Sequence, residues 1–403
     1  MKQLRDFDTE DFKRRYWQQQ PGVFRQVMPD LVEPLSPDEL AGLALEPGVD
    51  SRVIWCERGR WQLEHGPFDN YAKLGDSHWT LLVQAVNEHY PPARHLLRHF
   101  EWLPDWRIDD LMVSFATPKG GVGPHVDQYD VFIIQGSGRR QWQIGQPGGL
   151  ETITPHPELK QVKGFTPIID VVLEPGDMIY IPAGFPHEGV SIEASVNYSV
   201  GFRAPSQAEL LSALADKALD EDLLTTRFKD TSGSLAAQAN QPSWYLPASA
   251  VTAFKDLVTS AVANEALMQR LCAVYLSQNP RPPLQFWPEQ SITSEQLLAW
   301  LSTNPQYLTA PGLRWLTVHE KSANTAEVEL ALYVQGQRFL ADSDTEQLLA
   351  LFKAHESLNS NFIAARVKAS AAASALVLWL VNEGYLVPEY NEEDYQDESE
   401  EES

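Results

Sequence analysis

The chain has 403 residues, of which 43% are apolar, so it can bury the cores of two or three domains. It carries 55 acidic and 31 basic residues, a formal net charge of −24. This charge argues against a broad basic surface for nucleic-acid backbone and favours a basic partner. The two cysteines, Cys56 and Cys272, form no CxxC pair, which argues against a disulfide framework and a thiolate zinc site.

No export or membrane signal is evident along the chain. Residues 1–15 are charged and lack an apolar core, and no later run approaches 18 apolar residues. We therefore expect a cytoplasmic protein that contacts no membrane. Residues 389–403 include nine acidic residues and no Lys or Arg, a composition that predicts a disordered acidic tail.

Residues 16–203 are rich in Trp, Val, Ile, Gly and Pro, and short β-like runs alternate with turn signals. This pattern is typical of a β-barrel or sandwich. The predicted strands are residues 111–116, 129–135, 141–145, 171–173, 178–181 and 195–202. Between residues 79 and 90, apolar residues recur at steps of three and four, which predicts a helix.

After residue 204 the pattern becomes helical. The apolar pattern of residues 206–224 predicts an amphipathic helix. Ser206, with Glu209 three residues later, is the expected capping pair at its start. The pattern of residues 251–276 predicts a second helical run. We expect this apolar helical region to form a homodimer.

The pattern changes again after residue 280. One helix, a β-hairpin and two further helices resemble a winged-helix domain. The last helix, around residues 371–380, is rich in Ala and Leu and has no basic stripe. Protein packing is therefore favoured over direct nucleic-acid binding.

The candidate metal site begins with His125 and Asp127. In a strand, residues two apart project from the same face, so these side chains can approach one point. A His-x-acid triplet alone carries little weight, because chance supplies about one in a chain of this composition. The segment PGDMIYIPAGFPH adds weight, because its tight turn and short apolar strand deliver His187 to a barrel rim.

Two imidazoles and one carboxylate on one side of an ion leave three positions open. This is the facial triad of non-haem iron(II) oxygenases. We therefore predict that His125, Asp127 and His187 bind Fe(II) and form the catalytic centre inside a cupin-type barrel. The open positions suit 2-oxoglutarate and dioxygen.

A candidate cosubstrate residue follows the GSG turn at residues 136–138. In the next strand Arg140, Trp142 and Ile144 share a face, and the apolar pair indicates that this face is internal. A guanidinium against an apolar wall needs an anionic partner, and the distal carboxylate of 2-oxoglutarate is suitable. Ser114 is a candidate to add a hydroxyl there, and Asn197 to contact the metal-bound end; core hydrogen bonding is the alternative for both.

At these residues the sequence resembles the JmjC subclass of 2-oxoglutarate oxygenases, whose pattern is His-x-Asp, a basic cosubstrate residue on the following strand, and a distant His. More narrowly, it resembles the bacterial ribosomal oxygenases. The matching segments are YWQQQP at 16–21, HVDQYDVF at 125–132 and GRR at 138–140.

The resemblance implies an α+β architecture. A double-stranded β-helix (cupin or jelly-roll, JmjC) barrel would span residues 1–204, a helical dimerisation region 205–280 and a winged-helix domain 281–388. The acidic tail, 389–403, is not part of the pattern.

The resemblance also implies an activity, 3-hydroxylation of an arginine in the L-sixteen protein of the large ribosomal subunit. Dioxygen and 2-oxoglutarate would be consumed, with release of succinate and CO2. The negative charge suits a basic ribosomal-protein loop as substrate.

Three alternatives stay open at this point. One is a histidyl hydroxylase or demethylase of the same subclass. Another is a non-catalytic metal-binding regulator that binds DNA. The third is a cupin isomerase or small-molecule dioxygenase that uses manganese or zinc.

Overall fold

The computed structural model describes residues 4–229, 241–242, 244–281, 283, 285–321, 328–355 and 357–389. Except for Glu389, the acidic tail expected at 389–403 lies outside the described residues. The chain divides into two compact units, Met1–Ala204 and Pro205–Ser403. Within the described residues, no helix has the length and apolar character needed to cross a membrane.

The first unit consists mainly of short strands. They are β1 (Gly22–Phe24), β2 (Ser51–Glu57), β3 (Arg60–His65), β4 (Trp79–Val83), β5 (Ile108–Ala116), β6 (His125–Val126), β7 (Asp130–Gln135), β8 (Arg140–Gly145), β9 (Thr152–His156), β10 (Leu159–Val162), β11 (Pro167–Leu173), β12 (Met178–Ile181), β13 (Pro186–Ser191) and β14 (Ser195–Phe202). Its helices are α1 (Thr9–Arg15), α2 (Pro37–Leu43) and α3 (Val86–His89), with 3-10 helices at Pro91–Phe100 and Asp105–Arg107.

Two antiparallel sheets form the barrel. The larger has the order β1-β12-β7-β14-β5-β4-β2-β3, and the smaller has the order β11-β8-β13-β6. Apolar side chains of β7 and β12 in the larger sheet pack in one cluster with those of β8 and β11 in the smaller sheet. The sheets therefore face each other across a shared interior, which is the cupin-type arrangement expected from the sequence.

Strand β14 shows why the two faces of the larger sheet differ. Its alternate apolar residues pack in the main core: Val196, Tyr198, Val200 and Phe202. The intervening Ser195, Asn197 and Ser199 project from the opposite face, and all three are buried. The interior of the barrel therefore carries polar groups that can hold a polar ligand.

The prediction of a helix over residues 79–90 is wrong for the first part of that range. Trp79–Val83 is strand β4, which pairs with β2 on one side and β5 on the other, and only Val86–His89 is helical. The last four residues of β4 are all buried. Because both faces of the sheet are covered there, the strand lacks the alternating pattern that distinguishes a half-exposed strand from a helix.

The second unit contains helices and two three-stranded sheets, β19-β15-β20 and β16-β17-β18. Its elements are α4 (Gln207–Asp220), α5 (Ala248–Val262), α6 (Glu265–Leu276), α7 (Leu297–Leu301), β15 (Gln306–Thr309), β16 (Trp315–Lys321), β17 (Val328–Val334), β18 (Gln337–Ala341), α8 (Ser343–Ala354), β19 (Leu358–Asn359), α9 (Ser360–Ala369), α10 (Ala371–Asn382) and β20 (Leu386–Pro388). Apolar residues of α7, α8, α9 and α10 pack in one core.

Helix caps set two boundaries in this unit. Ser206 and Glu209 form the expected capping box at the start of α4. The single helical run predicted over 251–276 is divided into α5 and α6, because the side chain of Asn264 accepts a hydrogen bond from the backbone N–H of Leu267 and starts a new helix. Helix α9, between α8 and α10, is a further element that the sequence pattern did not predict.

Candidate active site

Three potential metal ligands meet in the barrel. His125 on β6 and His187 on β13 are paired directly across neighbouring strands, and Asp127 follows the end of β6. Oδ2 of Asp127 lies 3.8 Å from Nε2 of His125 and 3.5 Å from Nε2 of His187. Two metal–ligand bonds of about 2.1 Å can span up to about 4 Å, so one ion can bridge the carboxylate and either imidazole. The potential ligand atoms of all three residues lie within 4.8 Å of one another.

Backbone carbonyl groups orient both imidazoles. Nδ1 of His125 lies 3.0 Å from the carbonyl oxygen of Gly123, and Nδ1 of His187 lies 3.0 Å from that of Phe185. A carbonyl oxygen can only accept, so each Nδ1 must carry the proton. The lone pair of each Nε2 is then available to a metal ion.

The charges at the site also suit metal binding. Burial lowers the pKa of His125 to about 4, and the nearby His187 adds to the effect, so His125 is neutral at pH 7. Burial alone would raise the pKa of Asp127, but its interactions with His187 and His125 outweigh burial and lower this pKa to about 2. A neutral imidazole and an ionised carboxylate are the forms that bind a metal.

Arg140 lies inside the barrel, and only 5% of it is exposed. Its Nη1 donates to Oγ of Ser114 at 3.1 Å, and its Nε and Nη2 donate to Oγ of Ser195 at 3.2 and 3.0 Å. Burial lowers the pKa of Arg140 to about 9, which leaves the group cationic at neutral pH. Within the described residues no carboxylate pairs with this guanidinium, so its charge is available to an anionic ligand.

The turn before β8 requires a glycine. Gly138 has φ +69°, and a Cβ atom there would lie 2.0 Å from the carbonyl oxygen of Ala194. Any other residue would push this turn away from the start of β14. Gly138 therefore helps to fix the position from which Arg140 enters the barrel.

The other residues considered from the sequence have different surroundings. Ser114 lies beside Arg140, whereas Nδ2 of Asn197 donates to Oε1 of Gln135 at 3.0 Å. Oδ1 of Asn197 is buried and has no hydrogen-bond partner in the described part of the chain. Ser195 was not predicted from the sequence, although the polar alternation on β14 was a signal for it.

Tyr129 lies beside the potential metal ligands and was given no role from the sequence. Its hydroxyl contributes to the lowered pKa of Asp127. Burial raises the pKa of Tyr129, and the negative charges of Asp127, Asp110 and Asp109 raise it further. Several carboxylates therefore act on this side of the candidate metal site.

Comparison with known proteins identifies the family. A JmjC domain model matches residues 95–210, which include the three potential metal ligands and Arg140. The solved structure of YcfD, a ribosomal oxygenase from Escherichia coli in complex with cobalt and 2-oxoglutarate, matches with a TM-score of 0.79 at 37% identity. The match covers 96% of this chain and 99% of that chain. The chain belongs to the JmjC ribosomal oxygenases.

Curated relatives of this JmjC protein agree with the structural match. The ribosomal protein uL16 3-hydroxylase of Escherichia coli (strain K12) is 54% identical over 220 residues, which cover 55% of this chain and 59% of the relative. A probable ribosomal oxygenase of Haemophilus influenzae is 32% identical over 269 residues, which cover 65% of this chain and 66% of the relative. Both alignments span less than two thirds of the relative's length.

Proposed function

We propose that this JmjC protein is an Fe(II)- and 2-oxoglutarate-dependent hydroxylase that 3-hydroxylates an arginine of the ribosomal protein uL16. One observation carries the proposal: a buried guanidinium with no carboxylate partner in the described residues lies in the same barrel as a His-Asp-His cluster. That combination suits a metal-bound dicarboxylate. A relative at 54% identity is a uL16 3-hydroxylase, which supports the choice of substrate.

In this proposal His125, Asp127 and His187 hold the iron. Two imidazole nitrogens and one carboxylate oxygen are a donor set that suits Fe(II) and leaves half of its coordination sphere open. Iron(II) with 2-oxoglutarate and dioxygen supplies the oxidation of an unactivated C–H bond, and the cosubstrate leaves as succinate and CO2.

The protein's own residues bind and orient the cosubstrate and shield it from water. Arg140 binds the distal carboxylate of 2-oxoglutarate, and the hydroxyl of Ser114 is placed to contribute a further hydrogen bond. Trp142 and Ile144, on the same face of β8, are buried and keep water from the charge pair. Because the cosubstrate is held in place and shielded from water, the substrate side chain is the nearest group that can be oxidised.

The negative charge around Tyr129 favours a cationic side chain as substrate. The carboxylates of Asp109 and Asp110 act on this phenol. The whole chain, at −24, also attracts a basic partner such as a ribosomal protein. Arginine, with its permanent charge and bidentate donors, fits a carboxylate-lined approach. A ribosomal substrate also implies action in the cytoplasm.

The test is direct hydroxylation by the full chain. A uL16-derived peptide is incubated with the protein, Fe(II), 2-oxoglutarate and oxygen, and its mass is followed together with succinate. We expect one added oxygen on an arginine, with NMR locating it on the β-carbon. The matched control is the His125→Ala variant, which should form neither product.

Other outcomes would point to the alternatives. Added oxygen on a histidine, or loss of a methyl group from a lysine, would replace the arginine assignment by another reaction of the same subclass. If no succinate forms with any ribosomal protein, the chain is not a working oxygenase and a non-catalytic regulator becomes the better description.

We further propose the domain division 1–204 (barrel), 205–280 (helical dimerisation region), 281–388 (winged helix) and 389–403 (acidic tail). Support for a dimer comes from apolar side chains that are exposed on α4 and α5 within the described residues: Leu211, Leu219, Val251, Phe254 and Val258. Exposed apolar side chains of this kind favour association with a second copy. Light scattering should give a dimer mass, and Leu219→Glu with Val258→Glu should shift it toward a monomer, unlike the control Asp256→Asn on α5.

The winged-helix proposal rests on the β16-β17-β18 sheet and helices α8, α9 and α10. Helix α10 contains no basic residue, and five of its residues are buried. A DNA-reading helix needs exposed donors for base edges or phosphates. We therefore expect no direct nucleic-acid binding, which a mobility-shift assay at low salt would check.

A further inference from the structure

The fold supports the two imidazoles of the candidate metal site in different ways. His187 lies in β13, which pairs with β8 on one side and with β6 on the other. His125 lies in β6, a two-residue strand at the edge of the smaller sheet, whose neighbour in that sheet is β13. An edge strand lacks the second row of backbone hydrogen bonds that holds an inner strand. The position of His125 therefore depends more on contacts from outside the sheet.

The β9–β10 hairpin makes such contacts with the segment that precedes β6. Nε2 of Gln161 on β10 donates to the carbonyl oxygen of Val122 at 2.7 Å. The backbone N–H of Val162 donates to the carbonyl oxygen of Pro124 at 2.8 Å. Both β10 residues are buried. Because water cannot readily replace a buried hydrogen bond, the hairpin holds these two carbonyl groups in place.

The carbonyl group between these two orients the imidazole. Gly123 lies between Val122 and Pro124, and its carbonyl oxygen lies 3.0 Å from Nδ1 of His125. The ring of Pro124 fixes its own φ angle, which further limits the segment. Since the carbonyl groups on both sides are held by β10, the carbonyl of Gly123 has little freedom to turn. Strand β10 thereby sets the direction in which Nε2 of His125 points.

Gly123 and Gln161 are in close contact. Gly123 has φ +76°, and a Cβ atom there would lie 2.2 Å from Nε2 of Gln161. The amide of Gln161 therefore lies directly against the backbone of Gly123. Glycine is required here both for its φ angle and for the space that the amide occupies.

The hairpin is itself anchored to the larger sheet. Leu159 on β10 packs in a buried cluster with Ile54 on β2 and Leu82 on β4. Between the hairpin strands, Oε2 of Glu158 lies 2.6 Å from Nε2 of His65 on β3. An element that is held by buried apolar contacts opens less often than a free loop. Gln161 is therefore presented to the Val122 carbonyl from a fixed position.

We propose that Gln161 is a positioning residue for metal binding. By holding the Val122 carbonyl it fixes the Gly123 carbonyl, which keeps the proton of His125 on Nδ1 and leaves the lone pair of Nε2 directed at the ion. The inference rests on the proposed function and deepens it. Gln161 acts through His125, whereas Arg140 acts on the cosubstrate. The hairpin provides the support that an inner strand would receive from its second neighbour.

The first test is the affinity of the metal-free full chain for Co(II), measured by isothermal titration calorimetry. Gln161→Met removes the donor and keeps a side chain of similar length. We expect the Kd to rise about 10-fold, because partners that orient a metal ligand typically change the affinity by about 10- to 100-fold. Tyr71→Phe is the matched control, since it also removes one donor to a backbone carbonyl, that of Ala41. Its Kd should stay within about 2-fold of the wild type. An unchanged Kd in Gln161→Met overturns the inference.

A second readout needs no metal. Nitrogen–proton correlation NMR of the metal-free protein reports which ring nitrogen of His125 carries the proton, with His125→Ala used for the assignment. We expect the Nδ1–H tautomer in the wild type and a mixture of both tautomers in Gln161→Met. A general loss of stability lowers the melting temperature without changing the tautomer in the folded protein. The same tautomer in both proteins contradicts the proposed role.

A further variant displaces the same carbonyl group by a different route. Gly123→Ala places a Cβ atom against the amide of Gln161, and we expect the Kd for Co(II) to rise at least as much as in Gln161→Met. Gly148→Ala is the control, because Gly148 has φ +91° and, among the described residues, no heavy atom lies within 4 Å of an added Cβ. It introduces the backbone strain without the contact. Equal Kd values in the two alanine variants overturn the inference.

The proposed function can fail separately from the role of Gln161. If the wild type does not bind Co(II), or if His125→Ala binds it equally well, the metal site fails first and the positioning role fails with it. If the wild type binds Co(II) through His125 and Gln161→Met binds it with the same Kd, only the positioning role is lost.

Discussion

Arg107 and Arg140 are both largely withdrawn from water in the first unit, and their surroundings differ. Nη2 of Arg107 donates to the fully buried carboxylate of Asp130 at 3.0 Å, and this carboxylate also accepts from Gln18 and Tyr180 at 3.0 and 2.8 Å. Among the described residues Arg140 donates hydrogen bonds only to serine oxygens. A charge that the fold already neutralises holds the fold together, whereas a charge left without a counterion is ready to bind a ligand.

The network around Asp130 also explains why the amino-terminal YWQQQP segment matters. The guanidinium of Arg107 lies 5.2 Å from the ring centroid of Trp17, and the backbone N–H of Gln18 donates to the hydroxyl of Tyr180. Asp130 begins β7, three residues after Asp127. The segment therefore fixes the start of the strand that follows a proposed metal ligand.

The largest expected effect is on turnover. Asp127→Ala removes the carboxylate that both imidazoles approach, and we expect succinate formation to fall by at least about 1000-fold. The melting temperature should change little, because Asp127 belongs to the proposed metal site and makes no hydrogen bond in the described part of the Asp130 network. The control is Asp170→Ala, whose exposed carboxylate accepts from Gln141 and Gln143 on the outer face of β8. Residual turnover near the wild-type rate would contradict the metal assignment.

Asp130→Ala should destabilise the buried hydrogen-bond network around Asp130. It leaves Arg107 without its counterion, and we expect a loss of about 3–5 kcal/mol in the free energy of unfolding, measured by urea titration. Asp30→Ala is the matched control, because its carboxylate is 92% exposed and pairs with Arg5 at 3.4 Å. It should cost less than about 1 kcal/mol. Equal losses in the two variants would show that the buried network is not structural.

Arg140→Met tests the comparison at the guanidinium that has no counterion. It removes a buried charge that has no counterion, so the free energy of unfolding without ligand should stay level or rise. The KM for 2-oxoglutarate should rise about 10- to 100-fold, because a charge-assisted pair is lost. Arg107→Met, in contrast, should destabilise the protein and leave this KM within 2-fold. An unchanged KM in Arg140→Met would remove the cosubstrate assignment.

The smallest expected effect concerns Ser195. Ser195→Ala removes the hydroxyl that accepts from two nitrogens of Arg140, and we expect the KM for 2-oxoglutarate to rise about 5-fold, the effect of roughly 1 kcal/mol. The value of kcat should be unchanged. Ser199→Ala on the same face of β14 is the control, since its side chain makes no hydrogen bond to Arg140 within the described part of the chain. A drop in kcat without a change in KM would assign Ser195 a different role.

The sequence by itself determined the family and the local parts of the site. The comparisons confirm the JmjC family, and the fold of the first unit is the expected cupin type. Periodicity placed Arg140 inside the barrel because β8 alternates strictly, with Arg140, Trp142 and Ile144 buried. The spacing of His125 and Asp127 and the turn before β12 are likewise local patterns, which one stretch of sequence can encode.

Only the tertiary structure decided the rest. It made residues 79–83 a strand, since β2 and β5 cover both of its edges. It also brought Ser195 to Arg140 and Asp130 to Arg107. The members of these two pairs lie 55 and 23 residues apart in the chain. Hydrogen bonds and charges act through space, so a sequence pattern that reports only neighbours a few residues apart carries no signal of them.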